Sequence, residues 1–410
     1  MNIVDYVDMR GDLTFAERPF NEVDNLVLAE LAYAEMKDIV ADTDTFTVSL
    51  AELYEKYVAL GYQSLLVNDP KPLLERVAAA PRYQGVRLGA YVDRVDPEQE
   101  VQFAGVTFLL DDGTAYVAYR GTDNTIVGWR EDFNFSYLTE TPGQSDAVAY
   151  LNRIAACTQC PLRVGGHSKG GNFALYASAF CEKSVRRDRV KEIYSNDGPG
   201  FKSSVADSAE YAAVLDKVIK IIPESSLIGI LLTSKVQPRV VASDAKGLMQ
   251  HDPYSWRVRG AAFEKVDGLS PASLYMNETL KKWMDTLNDE QKKAFVNAIF
   301  DSLDASGAFT LSEMNANKWV SYNAILRAVS EISKTSVYGE VTEALKKLAE
   351  AGKDVFWNEA RRSFEQIGQN RRVPSDDPDG EGKVVRITGR RRIAAADVRL
   401  KKKGGTPSAT

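Results

Sequence analysis

One stretch of this 410-residue chain has the residue types and spacing that covalent chemistry asks for: Val164-Gly165-Gly166-His167-Ser168-Lys169-Gly170-Gly171-Asn172. It contains G-x-S-x-G as Gly166-His167-Ser168-Lys169-Gly170, between a predicted strand and a predicted helix, which is the context the motif requires. A serine so placed sits on a very tight strand-to-helix turn, its Oγ exposed at the C-terminal edge of a sheet. A Cβ at either flanking glycine would collide with the neighbouring strand or helix. The helix N-terminus also brings free N–H groups and a dipole that favour developing negative charge. A serine hydroxyl needs a base of near-neutral pKa, normally histidine. The chain has two histidines. His167 adjoins the serine and is expected to point away from its Oγ. That leaves His251, in Gly247-Leu248-Met249-Gln250-His251-Asp252-Pro253-Tyr254, just after the last predicted strand.

The base needs a carboxylate on its other ring nitrogen, and the order Ser, acid, His places that acid between Ser168 and His251. Glu224 ends the second strand after the elbow. Asp197, in Asn196-Asp197-Gly198-Pro199-Gly200, ends the first. The residues alone leave these two open, with Asp244 on a weaker motif. An oxyanion would need two preorganised N–H donors. One is the amide of Lys169, directly after the serine. The other is expected from the loop Tyr119-Arg120-Gly121-Thr122-Asp123, where Thr122 offers an amide and a hydroxyl. The segment Gly128-Trp129-Arg130-Glu131-Asp132 could buttress that loop.

The elements that must position these groups follow from periodicity. Residues 1–80 read mostly helical, with a start near Asn21 and amphipathic segments at Leu50–Leu60 and Pro72–Ala80. Residues 86–96, 101–110 and 114–121 are β-rich, the last two joined by Asp111-Asp112-Gly113, a hairpin signal. Alternation follows: helix Asp146–Cys157, strand 161–166, helix Asn172–Lys183, strand 190–195, helix Ala206–Leu215, and strands 218–223 and 237–243. This is an α/β pattern with a largely parallel sheet. From about Tyr254 the strand signal stops, and residues 270–366 read almost wholly helical. The expected organisation is an N-terminal helical segment at 1–80, an α/β core at 81–260, a helical appendage at 261–370 and a basic tail at 371–410. No internal repeat is visible.

Composition sets the class. At 44% hydrophobic and 26% charged residues, the chain has the make-up of a soluble globular protein. No run reaches the roughly 18–20 apolar residues of a membrane span. The N-terminus shows no basic flank followed by an apolar core, and three cysteines make no disulfide framework, so a reducing cytoplasm is expected. The net charge of −6 is uneven: residues 371–410 hold 11 Lys/Arg against 5 Asp/Glu, while residues 1–370 hold 40 against 52 and carry −12. The acidic body gives no reason to expect nucleic acid. The tail, polar and poor in aromatics, reads as disordered, its basic clusters able at most to touch nucleic acid or anionic lipid weakly.

The motifs converge on a family. YRGTD followed by a Trp-containing segment, then GHSKGG, then a Gly-Pro-Gly turn after the next strand, resembles the class 3, fungal triacylglycerol-lipase-like α/β hydrolases. GHSKGGN, NDGPGF and GLMQHDPYSW, with the N-terminal NIVDYVDMRGDLTF, are more closely similar to a bacterial lipase-like family of unknown function. The resemblance covers residues 1–260 and extends into the helical region; it implies an α/β-hydrolase core, Ser168 as nucleophile, His251 as base, and oxyanion donors near Thr122 and Lys169. In class 3 lipases the acid follows the strand matching 218–223, which implies Glu224, although this chain has Glu-Ser-Ser where those lipases have an Asp-containing turn. By the same analogy the helical region forms a lid or acyl-binding wall. The expected function is hydrolysis of a small-molecule or lipid carboxylic ester through an acyl-enzyme on Ser168, with no cofactor or metal. The competing expectation is an inactive hydrolase fold used for binding. Two further patterns carry little: Cys157-Thr158-Gln159-Cys160 has no second ligand pair for zinc, and Ser302–Glu313 mimics a calcium loop but opens with Ser.

Overall fold

A computed structural model describes residues 1–62, 69–123, 125–285 and 287–304. The tail expected at 371–410, the helical region beyond Asp304 and most of the calcium-loop mimic lie outside these residues. Four helices precede or flank the first strands: α1 (Ile3–Arg10), α2 (Glu22–Leu31), α3 (Leu50–Ala59) and α4 (Lys71–Ala79). Asn2 and Asn21 close capping boxes with Asp5 and Asp24, which fixes where α1 and α2 begin.

The sheet has eight strands in chain order among the described residues: β1 (Val48–Ser49), β2 (Arg87–Asp96), β3 (Val101–Leu109), β4 (Ala115–Tyr119), β5 (Leu162–His167), β6 (Val190–Asn196), β7 (Val218–Pro223) and β8 (Arg239–Val241). β1 to β4 pair antiparallel and β4 to β8 parallel. The expected hairpin joins β3 to β4, with Gly113 at φ +79° in its turn. The parallel half is built by crossovers through α5 (Ile126–Asn134), α6 (Pro142–Cys157) and α7 (Lys169–Phe180). The stretch expected as one helix from Ala206 to Leu215 is two single turns, α8 (Ser203–Ala206) and α9 (Ala209–Ala212), because Ser208 interrupts the first and caps the second. α6 begins four residues before its expected start, since Thr141 and Gln144 form a capping box with Pro142 at the first helical position. Beyond β8 a two-stranded ribbon (Val258–Arg259 with Ala262–Phe263) precedes α10 (Pro271–Asp285) and α11 (Asp289–Asp304).

Both faces of the sheet are covered, so its central strands are apolar throughout. On β4, Tyr116 and Ala118 join the core beneath α1, α2 and α4, while Ala115, Val117 and Tyr119 join the core beneath α6 and α7. The first core is pinned by a buried ion pair. Arg82 Nε and Nη2 donate to the two Asp24 oxygens at 2.7 and 2.6 Å, and the Tyr83 hydroxyl donates to the same carboxylate at 2.9 Å. Removing one partner strands the other charge in an apolar interior. Asp24→Ala is expected to lower stability by about 3–5 kcal/mol, read as a lower urea midpoint at unchanged m-value.

Candidate active site

The turn from β5 into α7 sets the site. Ser168 caps α7 at φ 57°, ψ −128°, a left-handed conformation that L residues rarely adopt. Neighbours impose it. A Cβ on Gly166 would lie 2.4 Å from the Gly170 carbonyl carbon, and one on Gly170 would lie 2.1 Å from the Tyr119 oxygen. The turn therefore closes only with glycine at both positions. The Ser168 N–H donates to the Asn196 carbonyl at 2.9 Å, tying the turn to the end of β6.

Ser168 Oγ lies 3.0 Å from His251 Nε2, and His251 Nδ1 lies 2.6 Å from Asp197 Oδ2. A carboxylate oxygen accepts, so Nδ1 carries the proton and Nε2 presents its lone pair to the serine hydroxyl. Asp197 is fully buried and, like Ser168, has a positive φ (49°). Its other oxygen accepts from the Ser226 hydroxyl and from the Gly229 N–H at 3.1 Å. The carboxylate is thus held at both ends.

Of the two acids left open, the structure brings Asp197 to His251. Glu224, the one implied by resemblance, makes no hydrogen bond to His251. Its backbone is pinned instead, the N–H donating to Val241 and the carbonyl accepting from Ser270. Its neighbours serve the site: Ser226 holds Asp197, and the Ser225 N–H donates to Gln250 Oε1 at 2.7 Å, beside the base. Asp244 is exposed beside Arg257.

The loop after β4 packs on the elbow, a Cβ on Gly121 lying 3.1 Å from Ser168 Cβ. The Thr122 hydroxyl donates to Asp132 Oδ2. That commits the hydroxyl, so of the two donors expected from Thr122 the amide is the one left free. Lys169 stands at the first turn of α7, its amide without an intrahelical acceptor. Its side chain turns inward to Glu131, Nζ to Oε2 3.2 Å, with both side chains 0% exposed. Glu131 also accepts from the Gln102 and Gly143 amides at 3.0 and 2.8 Å. The Gly128–Asp132 segment therefore contacts the Thr122 loop through Asp132 and the elbow helix through Glu131. Sequence reading missed Ser226 and Gly229, because residues that meet the carboxylate from a distant loop show no spacing signal.

A lipase-like α/β-hydrolase fold is what this sheet, its crossover helices and the glycine-flanked elbow define. The chain belongs to the Mbeg1-like family, whose model matches residues 77–301. Among solved structures it is similar to lipase II from Rhizopus niveus (15% identity, TM-score 0.33, covering 60% of this chain and 85% of that one). It is also similar to the Rhizomucor miehei lipase in its propeptide complex (13%, TM-score 0.34, 58% and 80%) and to Lip2 lipase from Yarrowia lipolytica (11%, TM-score 0.32, 53% and 76%). A search of curated proteins finds no match. No helix among the described residues is long and apolar enough to cross a membrane.

Asp132 carries a measurable consequence. Burial pushes its carboxyl up to about 6, against the opposing pull of Lys169 and Thr122. A folded-state pKa above the unfolded value means stability that is complete at low pH and is lost as pH rises through about 6. Asp132→Asn removes that loss and keeps an acceptor for Thr122. It is expected to match wild type near pH 4 and to exceed it at pH 8 by about 1–3 kcal/mol, seen as a pH-dependent gap in unfolding midpoints.

Proposed function

We propose that this protein is a serine hydrolase that cleaves a carboxylic ester through an acyl-enzyme on Ser168. The observation that carries the reading is the unbroken hydrogen-bond chain from Asp197 through His251 to Ser168. His251 Nε2 takes the Ser168 proton as Oγ attacks the carbonyl carbon, and Asp197 stabilises the imidazolium that forms. The oxyanion is held by the amides of Lys169 and Thr122. His251 then returns the proton to the leaving alkoxide, and water repeats the sequence to release the acid. A binding module has no use for a tautomer-locked imidazole 3.0 Å from a half-buried serine hydroxyl, so the geometry favours the enzyme.

A fluorophosphonate probe, which traps activated serines, tests this. Wild type is expected to label and Ser168→Ala to show none. Asp197→Asn should slow labelling on the order of 10³–10⁴-fold, by letting His251 adopt the wrong tautomer. Glu224→Gln should label at the wild-type rate. Folded wild type that does not react would remove the proposal, and equal damage from Glu224→Gln would remove the assignment of the acid.

A further inference from the structure

His167 takes no part in the proton transfers, yet it is buried against the residue that does. Its ring centroid lies 4.7 Å from that of His251, and its Nε2 lies 2.9 Å from the His251 carbonyl oxygen. A carbonyl only accepts, so Nε2 carries a proton. The other ring nitrogen faces two residues of the N-terminal segment, the Tyr33 hydroxyl at 3.1 Å and Glu30 Oε1 at 3.5 Å. Burial and the neighbouring His251 hold the His167 pKa well below that of free imidazole. The ring is neutral, Nδ1 is a lone pair, and Tyr33 donates to it. Burial, reinforced by Asp252, holds Glu30 far above the carboxylate range, so Glu30 is neutral as well. Its Oε1 has no hydrogen-bond partner, and neither has the nearby Tyr254 hydroxyl. Asp132, Asp252, Tyr254 and Arg120 are the other ionisable groups facing Glu30 and Tyr33 from the adjoining segments.

We infer that Tyr33 is a positioning residue for the base: its hydroxyl fixes His167 as the Nε2–H tautomer, and that N–H clamps the backbone of His251 where the imidazole meets Ser168. The inference deepens the reading of Ser168 and His251 given above and rests on it. Without the Tyr33 hydroxyl, Nδ1 loses the donor bonded to it, and the His167 proton can move there. Nε2 would then set a lone pair against the lone pairs of the His251 carbonyl, an attraction turned into a repulsion. Tyr33 reaches the oxyanion loop too, since a Cβ on Gly121 would lie 2.1 Å from its hydroxyl. One side chain, 134 residues before its partner in the chain, thus touches the elbow directly, the oxyanion loop by packing and the base through His167.

With two histidines in the chain, nitrogen-15 NMR of histidine-labelled protein reads both tautomers directly. Wild type should show one ring protonated at Nδ1, lost in His251→Gln, and one protonated at Nε2, which is His167. Tyr33→Phe should shift the His167 signal toward Nδ1–H and slow fluorophosphonate labelling about tenfold, the effect of about 1.4 kcal/mol on a barrier. The Phe ring keeps the packing of Tyr33, so a tautomer shift in this variant reports the lost hydroxyl and not a lost contact. Wild-type His167 protonated at Nδ1 overturns the clamp, whether or not the variants fold. So does Tyr33→Phe labelling at the wild-type rate. Folded wild type that never labels counts against the hydrolase reading instead.

Discussion

The left-handed turn at Ser168 is the constraint on which the rest of the structure depends. A non-glycine residue at φ 57°, ψ −128° costs about 1–3 kcal/mol and persists only where its surroundings over-determine it. Here they do so from three directions. The backbone of Tyr119 and Arg120 presses on Gly166 and Gly170. The Asn196 carbonyl takes the Ser168 N–H. The Asn196 side chain donates to the Gly166 carbonyl at 3.0 Å, and Asn25 of α2 donates to Asn196 at 2.9 Å. The Tyr116 hydroxyl closes the set on Asn25 at 2.7 Å. β4, β5, β6 and α2 are thereby locked to one another at the point where the serine leaves the sheet. Asp197 directly follows Asn196, so the network that fixes Ser168 also fixes where the carboxylate facing His251 begins.

Buried charge surrounds this turn at a cost that stability alone does not justify. An ion pair such as Lys169–Glu131, with both side chains fully enclosed, contributes little over apolar packing. Its geometric effect is specific. Glu131 also accepts the amides of Gln102 on β3 and Gly143 on α6, so one carboxylate joins β3, α5, α6 and the first turn of α7. The Lys169 side chain is turned inward to Glu131, and its amide, in the first turn of α7, has no intrahelical acceptor. Asp132, the next residue, holds the Thr122 hydroxyl. Two adjacent acids thus settle both sides of the space where an oxyanion would form. The pair repels itself, and part of the raised pKa of Asp132 comes from Glu131.

The elbow, and the histidine that meets its serine, were legible in the sequence because both depend on local rules. Glycines two residues either side of a serine, a strand before and a helix after, and one spare histidine are all visible along the chain. The largely parallel α/β pattern followed for the same reason, strands and helices alternating along the chain. Which carboxylate meets His251 was not legible. Asp197 and Glu224 end adjacent parallel strands, β6 and β7, and either placement suits the chain order. What separates them is lateral position: β6 neighbours β5, whereas β7 lies one strand further out. The positive φ of Asp197 turns its carboxylate inward to Ser226 and Gly229. Glu224 spends its backbone on β8 and Ser270. Such choices are made by side chains meeting across loops, and periodicity carries no record of them. Tyr33 was hidden more deeply, as one tyrosine among 18.

The two histidines show how environment assigns different work to one residue type. Their rings lie 4.7 Å apart, close enough that a charge on one opposes a charge on the other. In the proposed reaction His251 must become an imidazolium, so its neighbour must stay neutral. His167 does: it is 6% exposed, bonded to a carbonyl through one nitrogen and to a hydroxyl through the other. The carboxyl behind it, Glu30, is itself neutral and draws no proton onto the ring. His251, about a quarter exposed, has the Asp197 carboxylate on one nitrogen and the charge of Asp132 nearby. Negative charge is therefore concentrated on the side where positive charge would appear and withheld from the side where it would be wasted. Exchanging the two environments would leave every distance between the rings unchanged and take the carboxylate from the ring that meets Ser168, so on the proposed reading the segment from α2 to Tyr33, remote in the chain, bears on the chemistry of the site.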